Sequence, residues 1–170
     1  MKESIIEFKD LCNIKANNKY DKQQRGRAFE KYINKIFADE NILINESYQT
    51  SDGKSEQIDG AIKVNNRIIL VETKWVESNL AASELYSFIG KVENKFSGTI
   101  GLFISRIKLK DNFINALNKG RRQSIIVIHG EDIDNLIKED IKFNDFIEFV
   151  IEKLKILITK VKILKFQDTL

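Results

Sequence analysis

Apolar residues recur at helical spacing over Ala28, Phe29, Tyr32, Ile33, Ile36 and Phe37, and this stripe predicts an amphipathic helix. Asp21 is expected to cap it, with Gln24 three residues later completing a box-like pattern. A shorter helix is expected from Glu3 to Ile14. The period then changes. Ile42 to Thr50 reads as a strand, closed by the polar turn Ser51-Asp52-Gly53-Lys54. Gln57–Val64 and Arg67–Trp75 are strand-like runs separated only by Asn65-Asn66. Asparagine tolerates positive φ better than most residues, so this dipeptide predicts a two-residue hairpin. Ile68-Ile69-Leu70-Val71 is continuously apolar, as in a central strand buried on both faces. Beyond it the pattern predicts a helix (Leu80–Asn94), a strand (Thr99–Ser105), a short helix (Asp111–Asn118), a strand (Ser124–Ile128) and a short helix (Asp132–Lys138). A long helix from Phe143 to Phe166 closes the series. The order αα-βββ-α-β-α-β-αα predicts an α/β fold with a mixed β-sheet flanked by helices. No repeat or linker divides residues 1–170, so a single domain is expected.

Composition narrows the chemistry. Cys12 is the single cysteine, which excludes an internal disulfide framework, and His129 is the single histidine, which excludes a Cys/His zinc site. No apolar run approaches the ~18–20 residues that cross a bilayer, and the first residues lack the apolar stretch of a signal peptide. A cytoplasmic protein without a membrane partner is therefore expected. Lys and Arg exceed Asp and Glu by 28 to 25, a net +3 that is compatible with nucleic acid but not diagnostic of it.

The hairpin supplies sharper information. With Asn65-Asn66 as its loop, residues whose numbers sum to 131 face each other: Val64 with Arg67, Ile62 with Ile69, Asp59 with Glu72, and Gln57 with Lys74. Side chains two apart share a face, so these last four gather at one end of one surface. Two carboxylates opposed on an antiparallel pair repel. A divalent cation between them removes the conflict, and hard oxygen ligands suit Mg²⁺, with Mn²⁺ as a substitute. Lys74 would then lie beside a metal-activated water, placed to orient or deprotonate it or to stabilise developing phosphorane charge. The competing reading is a solvated hairpin end with self-compensating charges. It accounts poorly for a charged pair at the end of a buried strand and immediately before Trp75.

Ile58-Asp59-Gly60-Ala61-Ile62, a turn, and Ile69-Leu70-Val71-Glu72-Thr73-Lys74-Trp75 together resemble the catalytic signature of the PD-(D/E)xK nuclease superfamily. The nearest resemblance is to the restriction-endonuclease-like branch that includes the Mrr-type catalytic domain. Arg25-Gly26-Arg27-Ala28-Phe29-Glu30 is similar to the family's first core helix. Gly98 to Ser105 and Ile126 to Asp132 are similar to its later strands, so the likeness covers about residues 20–140. Isoleucine precedes Asp59 where the signature's name has proline. The resemblance implies an αβββαβ core, Asp59 and Glu72 as metal ligands, the Thr73 backbone carbonyl as a further ligand, and Lys74 as the catalytic lysine. It also implies that Glu30 approaches the metal. Gln23, Arg27, Glu30 and Asn34 form a polar flank beside the apolar stripe, which can border a cleft while the stripe docks on the sheet. Gln57 is a candidate neighbour of Lys74.

Other features carry less. Arg106, Lys108, Lys110, Lys119, Arg121 and Arg122 could hold DNA phosphates from loops, though basic loops are usually just solvated. Phe8, Tyr48, Trp75 and Phe103 read as core, Cys12 as packing, and His129 as a turn residue. In the last helix Phe143, Ile147, Val150, Leu154, Leu157, Val161 and Leu164 follow a seven-residue repeat. That seam fits either packing on the chain's own sheet or a homodimer or partner-subunit contact. The expected function is a metal-dependent endonuclease acting on DNA, of restriction or defence type. The alternatives are a catalytically degenerate module that binds nucleic acid or a partner, and a junction- or RNA-directed nuclease.

Overall fold

The structure is a computed structural model that describes residues 2–49, 57–76, 80–95, 97–107 and 124–156. Two helices, α1 (Lys2–Asn13) and α2 (Lys19–Asp39), precede the short strands β1 (Leu43–Asn45), β2 (Tyr48–Gln49) and β3 (Gln57–Ile58). The hairpin β4 (Gly60–Val64) and β5 (Arg67–Lys74) follows, then α3 (Ala82–Glu93), β6 (Ile100–Ser105), β7 (Ile125–His129), α4 (Gly130–Lys138) and α5 (Phe143–Ile156). Five strands form one mixed sheet in the order β1-β4-β5-β6-β7, with β5, β6 and β7 parallel and the β1 side antiparallel. β2 and β3 make a separate two-stranded ribbon. No described helix is long and apolar enough to cross a membrane.

The Asn65-Asn66 turn forms as expected. Both residues have positive φ, 48° and 61°, the conformation that keeps a two-residue loop in step with strand twist. The pairs run from Val64↔Arg67 to Gly60↔Val71 in the expected register. Period-two alternation then divides the sheet between two cores. Leu70, Phe103 and Ile125 face α3, whose Leu85, Phe88 and Val92 cover them. Ile69, Val71, Leu102, Ile104, Ile126 and Ile128 face α1, α2, α4 and α5. Phe29, Ile33 and Phe37 of the predicted stripe are fully buried there.

Several expectations change. The cap of α2 is Asn18, whose side chain accepts from the Asp21 N–H, while Asp21 reaches back to the Asn17 N–H. Lys19 and Tyr20 therefore join the helix. The strand expected over residues 42–50 breaks into β1 and β2. Ile68 is 52% exposed at the hairpin tip, so the doubly buried stretch is Ile69 to Thr73. Cys12 is exposed rather than packed, and His129 ends β7 and caps α4. The helix expected at Asp111–Asn118 and the turn at 51–54 lie outside the described residues. Phe143, Ile147 and Val150, the first positions of the heptad seam, are buried in this chain's own core with Phe146 and Ile151. Three of the seven seam positions are thus occupied; Leu157, Val161 and Leu164 lie outside the described residues. Glu40 ties this helix down, its carboxylate accepting the Phe143 and Asn144 N–H groups at 2.9 and 2.8 Å.

Gly101 marks the tightest point between β6 and α3. A Cβ there would lie 2.5 Å from Ile125 Cδ1 and 2.8 Å from both Phe88 Cε1 and Val92 Cγ2. Three core side chains would have to move together, so Gly101→Ala is expected to destabilise the fold by roughly 1–3 kcal/mol in a urea melt.

Candidate active site

At Asp59 the β4 ladder stops one residue short of the opposed pair the hairpin arithmetic predicts. Asn34 on α2 donates its Nδ2 to the Asp59 carbonyl at 2.9 Å, fastening the chain to the helix where the pairing ends. Gly60 makes the approach feasible, because a Cβ there would sit 2.6 Å from Asn34 Oδ1. Asp59 therefore lies in a bend, and Gln57 pairs with Gln49 of β2 instead of facing Lys74. The carboxylate compensates. Asp59 Oδ2 accepts the Thr73 N–H at 2.9 Å and the Thr73 hydroxyl at 3.2 Å, filling the edge of β5 that β4 has left. In a strand one residue's N–H and C=O point the same way, so the Thr73 carbonyl shares that edge. Lys74 shows the alternation: its carbonyl accepts from Arg106 N on the β6 side.

Glu72 is nearly buried and held between two ammonium groups. Its Oε1 lies 2.8 Å from Lys74 Nζ and its Oε2 lies 2.9 Å from Lys91 Nζ. Lys91 comes from the last turn of α3 and also donates to the Gln57 carbonyl at 2.8 Å, stitching β3 to β5 across the split. Sequence reasoning missed Lys91. Its one signal is its place three residues after Phe88 on the apolar stripe of α3, which does not distinguish it among so many lysines.

Burial lifts the Asp59 carboxyl above its ordinary range, and the neighbouring Glu72 charge lifts it further against the Thr73 bond. Glu30 is raised by burial and then by Asp59, with a Ser47 hydrogen bond opposing. Burial alone would lower the Lys74 ammonium, but the Glu72, Asp59 and Glu84 carboxylates together outweigh it and the group is raised.

A cleft of ≈ 890 Å³ gathers these groups, with Glu30, Gln57, Asp59, Glu72, Thr73 and Lys74 all on its walls. Gln23, Arg27 and Glu30 of the polar flank line it as well, while Asn34 is buried behind them. Lys19 and Lys22 stand on the same wall. Gln57 Nε2 is turned to Ser47 Oγ at 3.2 Å. Among the described residues no three His, Cys, Asp or Glu side chains converge tightly enough to cage a metal ion. A cation here needs backbone or water oxygens besides Asp59 and Glu72.

Arg106 does not line the cleft. Its guanidinium lies 3.2 Å from Asp134 Oδ1 and stacks over Phe8 and Trp75, joining α1, α4 and β5. Lys108, Lys110, Lys119, Arg121 and Arg122 lie outside the described residues.

The sequence matches no family model and no curated protein. Its structure is similar to the small subunit of the heterodimeric restriction endonuclease R.BspD6I, with a TM-score of 0.57 over 91% of this chain and 88% of that one at 15% identity. The fold is restriction-endonuclease-like. Two larger proteins contain a similar unit. Can2 from Sulfobacillus thermosulfidooxidans, solved with cyclic tetra-adenylate, gives a TM-score of 0.54 at 18% identity over 71% of this chain. Protein VC1899 from Vibrio cholerae gives 0.51 at 15% identity over 72%. The chain spans only 36% and 35% of their lengths. In this restriction-endonuclease-like sheet, the split at Asp59 opens the cleft beside the central strand β5.

The acids make a pH prediction. Raised folded-state values for Asp59 and Glu30 mean the folded protein binds more protons than the unfolded chain once pH exceeds their ordinary range. Stability from these groups is present below about pH 4 and declines as pH rises through the folded values. Asp59→Asn, which keeps an acceptor for Thr73, should therefore raise the melting temperature of metal-free protein at neutral pH. The expected rise is on the order of 2–4 °C, the shift about 1 kcal/mol produces at this size. The gain should vanish near pH 4; a gain independent of pH would refute the electrostatic origin.

Proposed function

We propose that this chain is a metal-dependent nuclease that hydrolyses DNA phosphodiester bonds in a restriction or defence setting. The observation that carries the reading is the convergence of Asp59, Glu72 and Lys74 where β4 leaves β5, inside a cleft rimmed by Lys19, Lys22 and Arg27. The donors are hard oxygens, and the Glu72 charge raises the proton affinity of Asp59, as expected where a positive charge belongs between them. They fit Mg²⁺, or Mn²⁺ in its place, held by Asp59, Glu72 and the Thr73 carbonyl. When bound, such an ion supplies Lewis acidity toward a phosphate oxygen and an attacking water.

The chain's own groups do the rest. Lys74 donates to the non-bridging phosphoryl oxygens, where negative charge develops. Glu30 and Gln57 border the path to it and orient water. Lys19, Lys22 and Arg27 neutralise flanking phosphates and set the strand's position. Products with 5′-phosphate and 3′-hydroxyl ends follow from the resemblance to the PD-(D/E)xK superfamily, and placement in its Mrr-type branch rests on the motif order alone. Association with a partner subunit is supported by the size match to one subunit of a heterodimeric enzyme. One observation favours the second reading, a non-cutting nucleic-acid- or partner-binding module: Glu72 is charge-balanced by two ammonium groups without any cation.

Incubation with plasmid, linear duplex, single-stranded DNA and RNA, each with Mg²⁺, Mn²⁺ or EDTA, separates these readings. Duplex cleavage that EDTA abolishes is expected. Lys74→Ala should lower turnover by about 10² or more while retaining metal binding. Asp59→Ala should lose both. Full cleavage in EDTA, or by the Lys74 variant, would sink the mechanism.

Affinity for DNA is expected to fall steeply with salt. Lys19 and Arg27 are exposed on the cleft wall. Replacing both with alanine should flatten the slope of log K against log salt by roughly 2, near 0.9 for each phosphate that is no longer neutralised. An unchanged slope would return both side chains to solvent.

A further inference from the structure

Lys91 is the second cation on the Glu72 carboxylate. Lys74 and Lys91 each take one oxygen of the Glu72 carboxylate, at 2.8 and 2.9 Å, and the carboxylate's side chain is only 7% exposed. A divalent ion on this carboxylate would meet two ammonium charges at hydrogen-bond distance from its oxygens, and their repulsion favours the release of one. The two lysines differ in what else holds them. Lys74 has a weaker second partner in Glu84, 3.6 Å away and on the exposed side. Lys91 has a short bond to a neutral acceptor, the Gln57 carbonyl at 2.8 Å, and its side chain is 15% exposed. Released from Glu72, Lys91 keeps a hydrogen bond and stays close. Lys74, released, has only the longer and more exposed pair with Glu84.

We propose that Lys91 is an internal counter-cation that holds Glu72 in the metal-free site and yields Oε2 when a divalent ion enters, while it keeps its bond to the Gln57 carbonyl. The proposal rests on the metal-dependent reading above and concerns the regulation of that site. Lys91 sets the metal threshold: it keeps a buried carboxylate neutralised at low cation concentration and competes with the ion at high concentration. It is a positioning residue, since it acts on the site through Glu72. Its bond to Gln57 also keeps β3 beside β5, so the split that exposes Asp59 and Thr73 persists with or without the ion.

The test is Mn²⁺ binding to the full chain, followed by calorimetry and by the electron paramagnetic resonance signal of free Mn²⁺, without substrate. Lys91→Met removes the competing charge at similar length and should bind Mn²⁺ at least about tenfold tighter, as expected when a unit charge leaves a site this close. Lys91→Arg retains the charge and should stay within about threefold of wild type. Should Lys91→Met fail to fold, Lys91→Gln keeps a neutral donor for Glu72 and Gln57 and carries the same expectation. Equal or weaker binding by the folded neutral variant overturns the role given to Lys91 while leaving the metal centre standing. Absence of Mn²⁺ binding in wild type and every variant overturns the metal-dependent reading and Lys91's role with it.

Discussion

The antiparallel ladder between β4 and β5 would carry Asp59 into line opposite Glu72, but the pairing ends at Gly60 and helix α2 holds Asp59 where it leaves. Asn34 takes the Asp59 carbonyl, and Gly60 leaves room for the helix to come that close. A strand edge left without its partner would expose the Thr73 N–H in a nearly buried place, a cost that buried donors rarely bear. The Asp59 side chain meets that donor itself. One displacement thus does two things: it opens a cleft beside β5 and orients a carboxylate.

Electrostatics follow from this geometry. Glu72 points from β5 toward α3, and α3 answers with Lys91; Lys74, two residues along the same strand face, reaches the other oxygen. Buried charges without partners are expensive, so a buried carboxylate flanked by two ammonium groups is a tolerable arrangement, and removing one partner of such a group is strongly destabilising. At Asp59 and Glu30 burial outweighs the nearby cations and hydrogen bonds, and both are harder to ionise than usual. The site is strained electrostatically in the way functional sites are, at some expense to stability.

The opposite face of the sheet holds the site in place. Trp75 follows Lys74 directly and lies edge-on to Phe29 at 5.4 Å, with the Arg25 guanidinium 4.9 Å from its ring and Arg106 at 5.8 Å. Phe29 and Arg25 belong to α2, the helix that also brings Asn34 and Glu30. The C-terminal end of β5 and the helix that holds Asp59 are therefore fixed to each other by ring packing and cation–π contact. Arg106, from the end of β6, adds α1 and α4 to the same cluster.

Local patterns in the sequence determined the elements and the chemistry. The stripe from Phe29 to Phe37 specified α2, Asn65-Asn66 specified the hairpin and its register over five pairs, and the carboxylates and lysine at the end of β5 marked the place where reactive groups gather. These signals are legible because each depends on residues a few positions apart. The tertiary structure decided what depends on distant segments meeting. Where Asp59 is held turns on Asn34, 25 residues earlier; whether Glu72 is balanced turns on Lys91, 19 residues later; and whether the Phe143–Val150 seam is free turns on a sheet that covers it. Side-chain period and turn chemistry carry no information about such meetings, because the free energy that selects them comes from packing and burial that exist only once the chain has closed on itself.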